Sequence, residues 1–368
     1  MILWLALAIG LFFAVNIGAS GTAAAFGAAY GSGAIHRRPA LLLCAAFALA
    51  GSVLAGQQVA TTLGKGLLPA GALPLSCAAT ILGAACVTLF LANLLGIPLS
   101  TSEVTVGAVV GAAMVLGQPP WGRILFIVAT WVLIPFLSFV LAYLLQRTLV
   151  RLLRPYLREK RRAMSFILTL GGCYEAFAAG ANNVANAVGP LIGAGVIAMN
   201  AGVAFGGLAV ALGALALGGR VLNTNAKKIT TLDLPSGAVV SFTGATLVVI
   251  ASLMGLPTPL TQVTTVGIIG VGYANGGIAA LNPVTLRRLA AVWLVSPVLS
   301  LAISYLGTAY LTGVATPPLH TTVTVVAAAL AVTAVGRLLL RPARSGAQPA
   351  AGAEAQAEPA LVVEDTAP

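Results

Sequence analysis

The chain has 368 residues, of which 59% are hydrophobic and only 7% are charged. Since a soluble protein carries about a quarter charged residues, this composition excludes a soluble globular domain. The formal net charge of +11 would suggest nucleic acid in a soluble protein, but seven of the 19 basic residues lie in one stretch, residues 147–162. Such a cluster is typical of a cytoplasmic loop beside anionic headgroups, so we expect the lipid bilayer, and no nucleic acid, as the partner.

Long apolar runs recur along the chain, each close to the ~20 residues that one membrane crossing needs. None shows the short alternating pattern of barrel strands. The sequence therefore predicts an all-α polytopic, multi-pass protein of the cell membrane. In chain order the runs are Pro39–Ala55, Pro74–Ala92, Ile124–Leu145, Ala201–Leu217, Gly237–Met254, Leu289–Tyr310 and Thr321–Leu340.

Two glycine-rich stretches, Gly18–Gly27 and Gly180–Gly189, repeat each other at an offset of 162 residues. Each is followed by a matching G-x-G-x-I segment, Gly31–Ile35 and Gly193–Ile197. Duplicated, glycine-interrupted apolar segments in two halves point to the substrate site of a secondary transporter. Close helix packing through small residues is the alternative reading. We expect a broken helix whose freed backbone groups face a ligand.

The repeat and the basic stretch divide the chain into four parts. We expect a first transmembrane repeat over residues 1–149, a basic cytoplasmic loop over 150–162, a second repeat with an additional final helix over 163–340, and a disordered tail over 341–368. Tandem copies of this kind are often inverted in the membrane, so the predicted fold class is an inverted repeat of two homologous halves with broken or re-entrant helices. Inversion requires an odd number of crossings per half, which places the N-terminus outside.

Polar residues within the glycine motifs are the first candidates for a substrate-binding site. Three amides lie close together in the second copy, where unsatisfied amides in an apolar segment are costly. The matching positions of the first copy are Ser20, Gly21 and Ala24. The candidates from this motif are Ser20, Gly21, Thr22, Asn182, Asn183 and Asn186.

A second motif, Pro98–Gly107, is a strong helix start, because a proline is followed by three hydroxyl residues and then an apolar run. Its counterpart in the second half is Pro257–Thr265. The hydroxyls can simply cap a helix, but at mid-membrane the same helix start also offers N–H donors and a positive dipole end to an anion. Two opposed half-helix starts predict a site for a tetrahedral oxyanion. The candidates from this motif are Ser100, Thr101, Ser102, Thr261 and Gln262.

Ionisable side chains within the apolar segments are few. Glu103 lies in the second motif, and Glu175 lies just before the second glycine motif. Each carboxyl can be structural, hydrogen-bonded to a neighbouring hydroxyl, or can carry a proton, because apolar surroundings favour its neutral form. We interpret Glu103 and Glu175 as the candidate proton-coupling residues.

The chain contains no Walker A motif, no G-x-S-x-G motif and no His/Cys set with metal-ligand spacing. It also offers no nucleophile–base set. We therefore expect no catalytic residues, no metal, no cofactor and no enzymatic activity, and transport driven by ATP hydrolysis in this chain is disfavoured.

The two motifs resemble the signatures of the inorganic phosphate transporter (PiT) family, and the resemblance covers nearly the whole chain except the tail. Gly180–Pro190 is similar to the family's G-A-N-D-V-A-N signature, with Asn183 where the family has Asp. Pro98–Gly107 is similar to its P-V-S-T-T-H signature, with Glu103 where the family has His. In phosphate members the paired N-D motifs are implicated in binding sodium and phosphate. Both copies here lack that carboxylate, which argues against sodium coupling.

In the first half, Ser20-Gly21 replaces the N-D pair, and Tyr30–Ile35 follows. This variant resembles the CysP-type sulfate permease branch of the family. Phosphate at neutral pH carries a proton that it can donate, whereas sulfate only accepts hydrogen bonds. Replacing Asp with Ser, Gly and Asn removes acceptors and negative charge, and this change favours sulfate.

The resemblance and the residues together imply a secondary active transporter that imports sulfate by proton symport, with thiosulfate, selenate or chromate as further substrates. An inorganic phosphate symporter is the closest alternative. A passive anion channel, which could use the same helix dipoles, is a second one. A homodimer is compatible with the sequence.

Overall fold

The computed structural model of the chain describes residues 1–68, 73–94, 99–117, 119–226, 232–280, 283–314, 317–318, 321–329 and 333. Within these residues the structure is helical and contains no strand. The helices are α1 Ile2–Gly31, α2 Arg37–Ala55, α3 Gln57–Thr61, α4 Leu75–Leu94, α5 Thr101–Leu116, α6 Trp121–Leu145, α7 Arg151–Glu159, α8 Arg161–Gly193, α9 Met199–Ala216, α10 Gly218–Ala226, α11 Leu234–Leu253, α12 Leu260–Gly276 and α13 Pro283–Thr312. A π-helical turn, Thr62–Gly66, follows α3, and another, Gln146–Val150, follows α6.

Seven helical stretches of the described residues are long and apolar enough to cross a membrane, which confirms the all-α, multi-pass prediction. Six of the predicted apolar runs coincide with helices α2, α4, α6, α9, α11 and α13. The seventh run, Thr321–Leu340, is helical over residues 321–329, and its remaining residues except 333 lie outside the described residues, as do Pro98 and the whole predicted tail. The spanning stretches are Ile2–Gly31, Arg37–Ala55, Trp121–Leu153, Arg161–Gly193, Met199–Ala216, Leu234–Leu253 and Ala290–Thr312.

The predicted helix break within the glycine motifs is wrong, because both motifs lie inside the continuous helices α1 and α8. Their glycines serve close packing instead. A Cβ on Gly18 would overlap the backbone carbonyl of Val210, and a Cβ on Gly180 would overlap that of Ala48. Small residues that let helix backbones approach are a usual packing device in membranes, where apolar burial gives little attraction between helices.

The helical path is broken at the second motif of each half instead. Helix α5 has 16 residues and α12 has 17, so they extend about 24 and 26 Å, less than the ~30 Å of a bilayer core. The first turn of α5 is buried, and the Ser100 hydroxyl caps it by accepting a hydrogen bond from the Glu103 N–H (3.5 Å). Helix α5 therefore begins inside the protein.

Helices of the first half pack against helices of the second half, and these contacts occur in equivalent pairs. Helix α1 packs on α9 while its counterpart α8 packs on α2, and α5 packs on α13 while α12 packs on α6. The Ser138 hydroxyl donates to the Val263 carbonyl (2.8 Å), and the Ser300 hydroxyl donates to the Val104 carbonyl (2.7 Å). Ser300 and Val263 are the repeat counterparts of Ser138 and Val104. Such an exchange is what a two-fold rotation between two similar units produces.

Helices α1 and α8, the counterparts that carry the glycine motifs, run antiparallel to each other. A Cβ on Gly10 would lie 3.3 Å from the Ala187 carbonyl oxygen, and one on Gly172 would lie 2.9 Å from the Ala25 carbonyl oxygen. Residues near the start of α1 thus face residues near the end of α8, and the reverse. An antiparallel pair of equivalent spans is the arrangement that an inverted repeat requires; inversion in the membrane and an external N-terminus stay predictions.

Candidate functional site

A buried polar cluster joins α8 to the first turn of α5. The Asn186 amide nitrogen donates to the hydroxyl oxygens of Thr101 (3.1 Å) and Ser102 (3.3 Å). The Ser102 hydroxyl lies 3.2 Å from the Asn182 carbonyl oxygen and 3.4 Å from that of Asn183. Five of the predicted site residues, one motif from each half, therefore meet at one place. We call these five residues the amide–hydroxyl cluster.

Asn182 also holds the segment that leads into α12. Its amide nitrogen donates to the Ser252 hydroxyl (2.8 Å) and the Leu256 carbonyl (3.0 Å), and its carbonyl oxygen accepts from the Thr258 N–H (3.0 Å). Sequence reasoning missed Ser252 as a site residue, since no local pattern marks it. Thr258 had a signal, because it lies in the proline-rich counterpart of the second motif.

Two oxygens beside this cluster are buried without a hydrogen-bond partner, the Asn186 Oδ1 atom and the Glu103 Oε2 atom. Buried polar atoms are nearly always paired with protein or water, so these two acceptor oxygens mark places where a donor completes the network, namely a water or, on the carboxyl, a proton. Asn183 is half-buried, whereas Asn182 and Asn186 have no exposed surface. The accessible edge of the amide–hydroxyl cluster is thus at Asn183.

Glu103 and Gln262 connect the two opposed helix starts. The Gln262 amide nitrogen donates to the Glu103 Oε1 atom, and both side chains are buried. The two residues occupy the same position in the two repeats, so their contact lies at the axis that relates the halves. The predicted meeting of the α5 and α12 starts is therefore present in the structure. Thr261, half-buried, lies one residue before Gln262 at the same helix start.

Glu175 lies apart from this pair and has its own partners. The Thr264 hydroxyl donates to the Glu175 Oε1 atom (2.7 Å), and Ser241 also hydrogen-bonds the carboxyl. The carboxyl is buried, and its counterpart position in the first half is the apolar Phe13. Glu175 was predicted as a site residue. Thr264 lies in the predicted motif Pro257–Thr265 but was not chosen as a candidate, and Ser241 was missed because it comes from α11, far away in the sequence.

The candidates of the first glycine motif are not joined to the amide–hydroxyl cluster by any hydrogen bond among the described residues. The Ser20 hydroxyl donates to the carbonyls of Asn16 and Ile17 (both 3.1 Å), within its own helix. Thr22 is buried, and its hydroxyl donates to the Gly18 carbonyl (3.0 Å). Gly21, in contrast, borders open space, because a Cβ there would meet no atom within 4 Å.

A cation lies beside the loop that holds Asn182. The exposed Arg123, in the first turn of α6, donates to the Thr62 hydroxyl (3.3 Å) in the π-helical turn. A Cβ on Gly255 would lie 3.0 Å from that same hydroxyl, and the next residue, Leu256, accepts the hydrogen bond from Asn182. A chain of contacts thus leads from the exposed Arg123 through Thr62, Gly255 and Leu256 to Asn182 of the amide–hydroxyl cluster. In the described part of the chain, no group of three or more His, Cys, Asp or Glu could hold a metal ion.

The sequence of the chain matches a known protein family. The sequence profile of the phosphate transporter family matches residues 17–304, which include both glycine motifs and both helix starts. The chain belongs to the phosphate transporter family. The match confirms the resemblance predicted from the two motifs and identifies the chain as a relative of membrane transporters and permeases.

Individual members of the phosphate transporter family differ in the anion that their names state. The sulfate permease CysP of Bacillus subtilis is 48% identical over 304 residues, which cover 82% of this chain and 86% of the permease. A putative phosphate permease of Pyrococcus furiosus is 27% identical over 383 residues, covering 80% of this chain and 92% of that protein. A solved structure described as the sodium-dependent phosphate transporter has a TM-score of 0.73 and 26% identity, and the match covers 85% of this chain and all of that one.

Proposed function

We propose that this protein is a secondary active transporter that imports sulfate together with protons. The 48% identity to the sulfate permease CysP supports the choice of anion. The observation that carries the proposal is the amide–hydroxyl cluster, in which neutral amides and hydroxyls converge at a buried helix start without an ionised carboxylate among them.

The chemistry of the cluster favours an anion that only accepts hydrogen bonds. The Ser102 hydroxyl donates its proton to the amide oxygens of Asn182 and Asn183 and so holds the cluster together. The Thr101 hydroxyl and the N–H groups of Thr101 and Ser102 are donors at the start of α5, and the N-terminal end of a helix carries a partial positive charge. Sulfate can accept from all of them. Phosphate at neutral pH carries a proton that needs a hydrogen-bond acceptor in the site. The family signature has a carboxylate that could accept it, and this chain has Asn183 at that position.

Glu103 supports proton coupling. A carboxylate immediately after the helix start would repel a bound dianion, so binding of sulfate favours the protonated, neutral carboxyl. The Glu103 Oε2 atom is buried and unpaired, which leaves one oxygen of the carboxyl for a proton. Glu175 is the second candidate, since it is buried and paired only with hydroxyls.

The energetics also favour coupling to cations. An inside-negative potential opposes entry of a dianion by about 2.3 kcal/mol per charge for each 100 mV. When one sulfate enters with two protons, no net charge moves and the potential no longer opposes entry. When it enters with three protons, one net positive charge moves inward and the potential drives entry. A transporter that accumulates sulfate without ATP therefore needs at least two accompanying positive charges to escape the electrical cost.

The test is uptake of labelled sulfate into proteoliposomes of the purified protein. An inward proton gradient should drive accumulation above the external concentration without sodium, and collapse of the gradient by a protonophore should abolish it. Selenate, chromate and thiosulfate should compete strongly and phosphate weakly. Accumulation that needs sodium and is inhibited equally by phosphate would instead favour a phosphate symporter, a function that the names of several relatives suggest. Equilibration without accumulation would indicate a passive channel.

A further inference from the structure

A groove of about 650 Å³ lies at the end of the molecule where the chain passes from the basic stretch into the second half. One wall is the turn between α1 and α2, at Ala34 and Ile35, and the other is the start of α8, from Arg161 to Thr169. The α8 wall contributes Arg161, Arg162 and Ser165, with Phe166 on the outer side. The groove is remote from the helix starts that form the candidate substrate site, and the proposed function does not use it.

The charge around the groove is strongly positive. Both arginines are exposed, and the stretch over residues 147–162 contains seven basic residues against the single acidic Glu159. An anionic group in the groove would meet two guanidinium groups, which bind phosphate oxygens with two parallel hydrogen bonds. The half-buried Ser165 hydroxyl is a further polar group in the lining.

The outer flank of the groove is apolar and continues along a spanning helix. Phe166 is 64% exposed and Leu170, one turn further along α8, is 43% exposed, so both present carbon surface on the outside of the helix bundle. Helix α7, which precedes α8, carries basic residues and an exposed apolar face with Leu152 (78% exposed) and Tyr156. A short amphipathic basic helix of this type lies in the interface between headgroups and acyl chains.

We propose that this groove is a binding site for one anionic phospholipid. The lipid phosphate would be held by Arg161 and Arg162, and an acyl chain would lie along Phe166 and Leu170. Two cations lie next to an exposed apolar surface on the same helix. This arrangement favours a lipid over a free anion, because only a lipid carries both a phosphate for the arginines and an acyl chain for the apolar surface. Basic pockets between spanning helices on the cytoplasmic side are suited to such headgroups.

The experiment is native mass spectrometry of the full chain released from nanodiscs that contain equal amounts of phosphatidylglycerol and phosphatidylcholine. We expect one phosphatidylglycerol molecule to be retained at collision energies that strip phosphatidylcholine. The double variant Arg161→Gln/Arg162→Gln should lose this preference at least about tenfold. The matched control is Arg151→Gln/Lys160→Gln, which removes the same charge from the same stretch outside the groove and should retain the lipid.

Three results would overturn the proposal. The first is equal retention of both lipids by the unmodified chain, a result that does not depend on any variant folding correctly. The second is equal loss of phosphatidylglycerol in the groove variant and the control, which would mean general attraction by the basic stretch. The third is displacement of the lipid by millimolar inorganic phosphate, which would mean a site for free anions. Sulfate uptake is not used as the readout, so the outcome is independent of the transport proposal.

Discussion

Glu103 and Gln262 stand at the same position in the two repeats, and the Gln262 amide donates a hydrogen bond to the Glu103 carboxyl across the axis between the halves. Two glutamates in this place would repel each other, and two glutamines would carry no proton. One glutamate and one glutamine form a hydrogen bond that contains a single titratable group, the Glu103 carboxyl. The hydrogen bond therefore links one titratable side chain to both short helices, α5 and α12.

Replacing Glu103 with Gln should separate binding from coupling. The amide keeps the size of the side chain but cannot carry a proton, so sulfate exchange at equal pH should persist while accumulation driven by a pH gradient falls to background. Both are measured in proteoliposomes with labelled sulfate. Glu175→Gln is the matched variant at the other buried carboxyl. Accumulation equal to that of the unmodified protein would make Glu103 structural and leave Glu175 as the candidate.

Removing the Ser102 hydroxyl should weaken sulfate binding. Ser102 contacts three asparagines of the amide–hydroxyl cluster, and loss of one buried hydrogen-bonding group costs about 1–3 kcal/mol. We expect Ser102→Ala to raise KM for sulfate on the order of tenfold or more. Ser52→Ala is the control, since Ser52 is equally buried but donates to the Val203 carbonyl away from the cluster. Similar changes in both variants would indicate a general packing defect.

The two glycine positions Gly180 and Gly21 should respond oppositely to a small side chain. Gly180→Ala forces a Cβ into the Ala48 carbonyl, and overpacking of this kind costs about 1–3 kcal/mol or more. Gly21→Ala meets open space and should leave the melting temperature in detergent unchanged. A lower melting temperature for the Gly21 variant, or an unchanged one for the Gly180 variant, would contradict the packing described above.

A large side chain at Gly21 tests whether the open space beside it is used in transport. Gly21→Leu should fold, because no atom lies within 4 Å of its Cβ position, but should block sulfate uptake by filling the space. Expression and monodispersity are measured alongside uptake. Normal uptake by this variant would remove Gly21 and its neighbour Ser20 from the set of site residues.

Arg123 should attract sulfate from outside the cluster. Its charge raises the local concentration of anions, and salt screens this effect. Arg123→Gln should raise KM for sulfate several-fold at low ionic strength and leave it nearly unchanged at high ionic strength, whereas Arg123→Lys should resemble the unmodified protein. A fall in kcat that is independent of salt would indicate that Arg123 only supports the π-helical turn through Thr62.

The sequence predicts the spans and helix starts well because their signals are local. An apolar run and a serine cap such as Ser100 depend on neighbours within a few residues. The partners of the site residues depend on the tertiary fold, so Ser252 and Ser241 gave no signal although they hold Asn182 and Glu175. Glycine patterns are ambiguous for the same reason. The sequence favours a helix break at Gly180, and only the Ala48 backbone opposite shows that this glycine serves packing.

The exchange of contacts between the halves has a consequence for assembly. Most spanning helices of each half pack against spanning helices of the other half. Neither half can therefore bury its glycine-rich helix faces alone. In this respect the chain resembles a dimer whose two subunits are joined in one polypeptide. The joining segment around α7 carries few of these contacts. Two fragments separated within that segment and produced together should therefore recombine into a complete protein, whereas either fragment produced alone should be degraded.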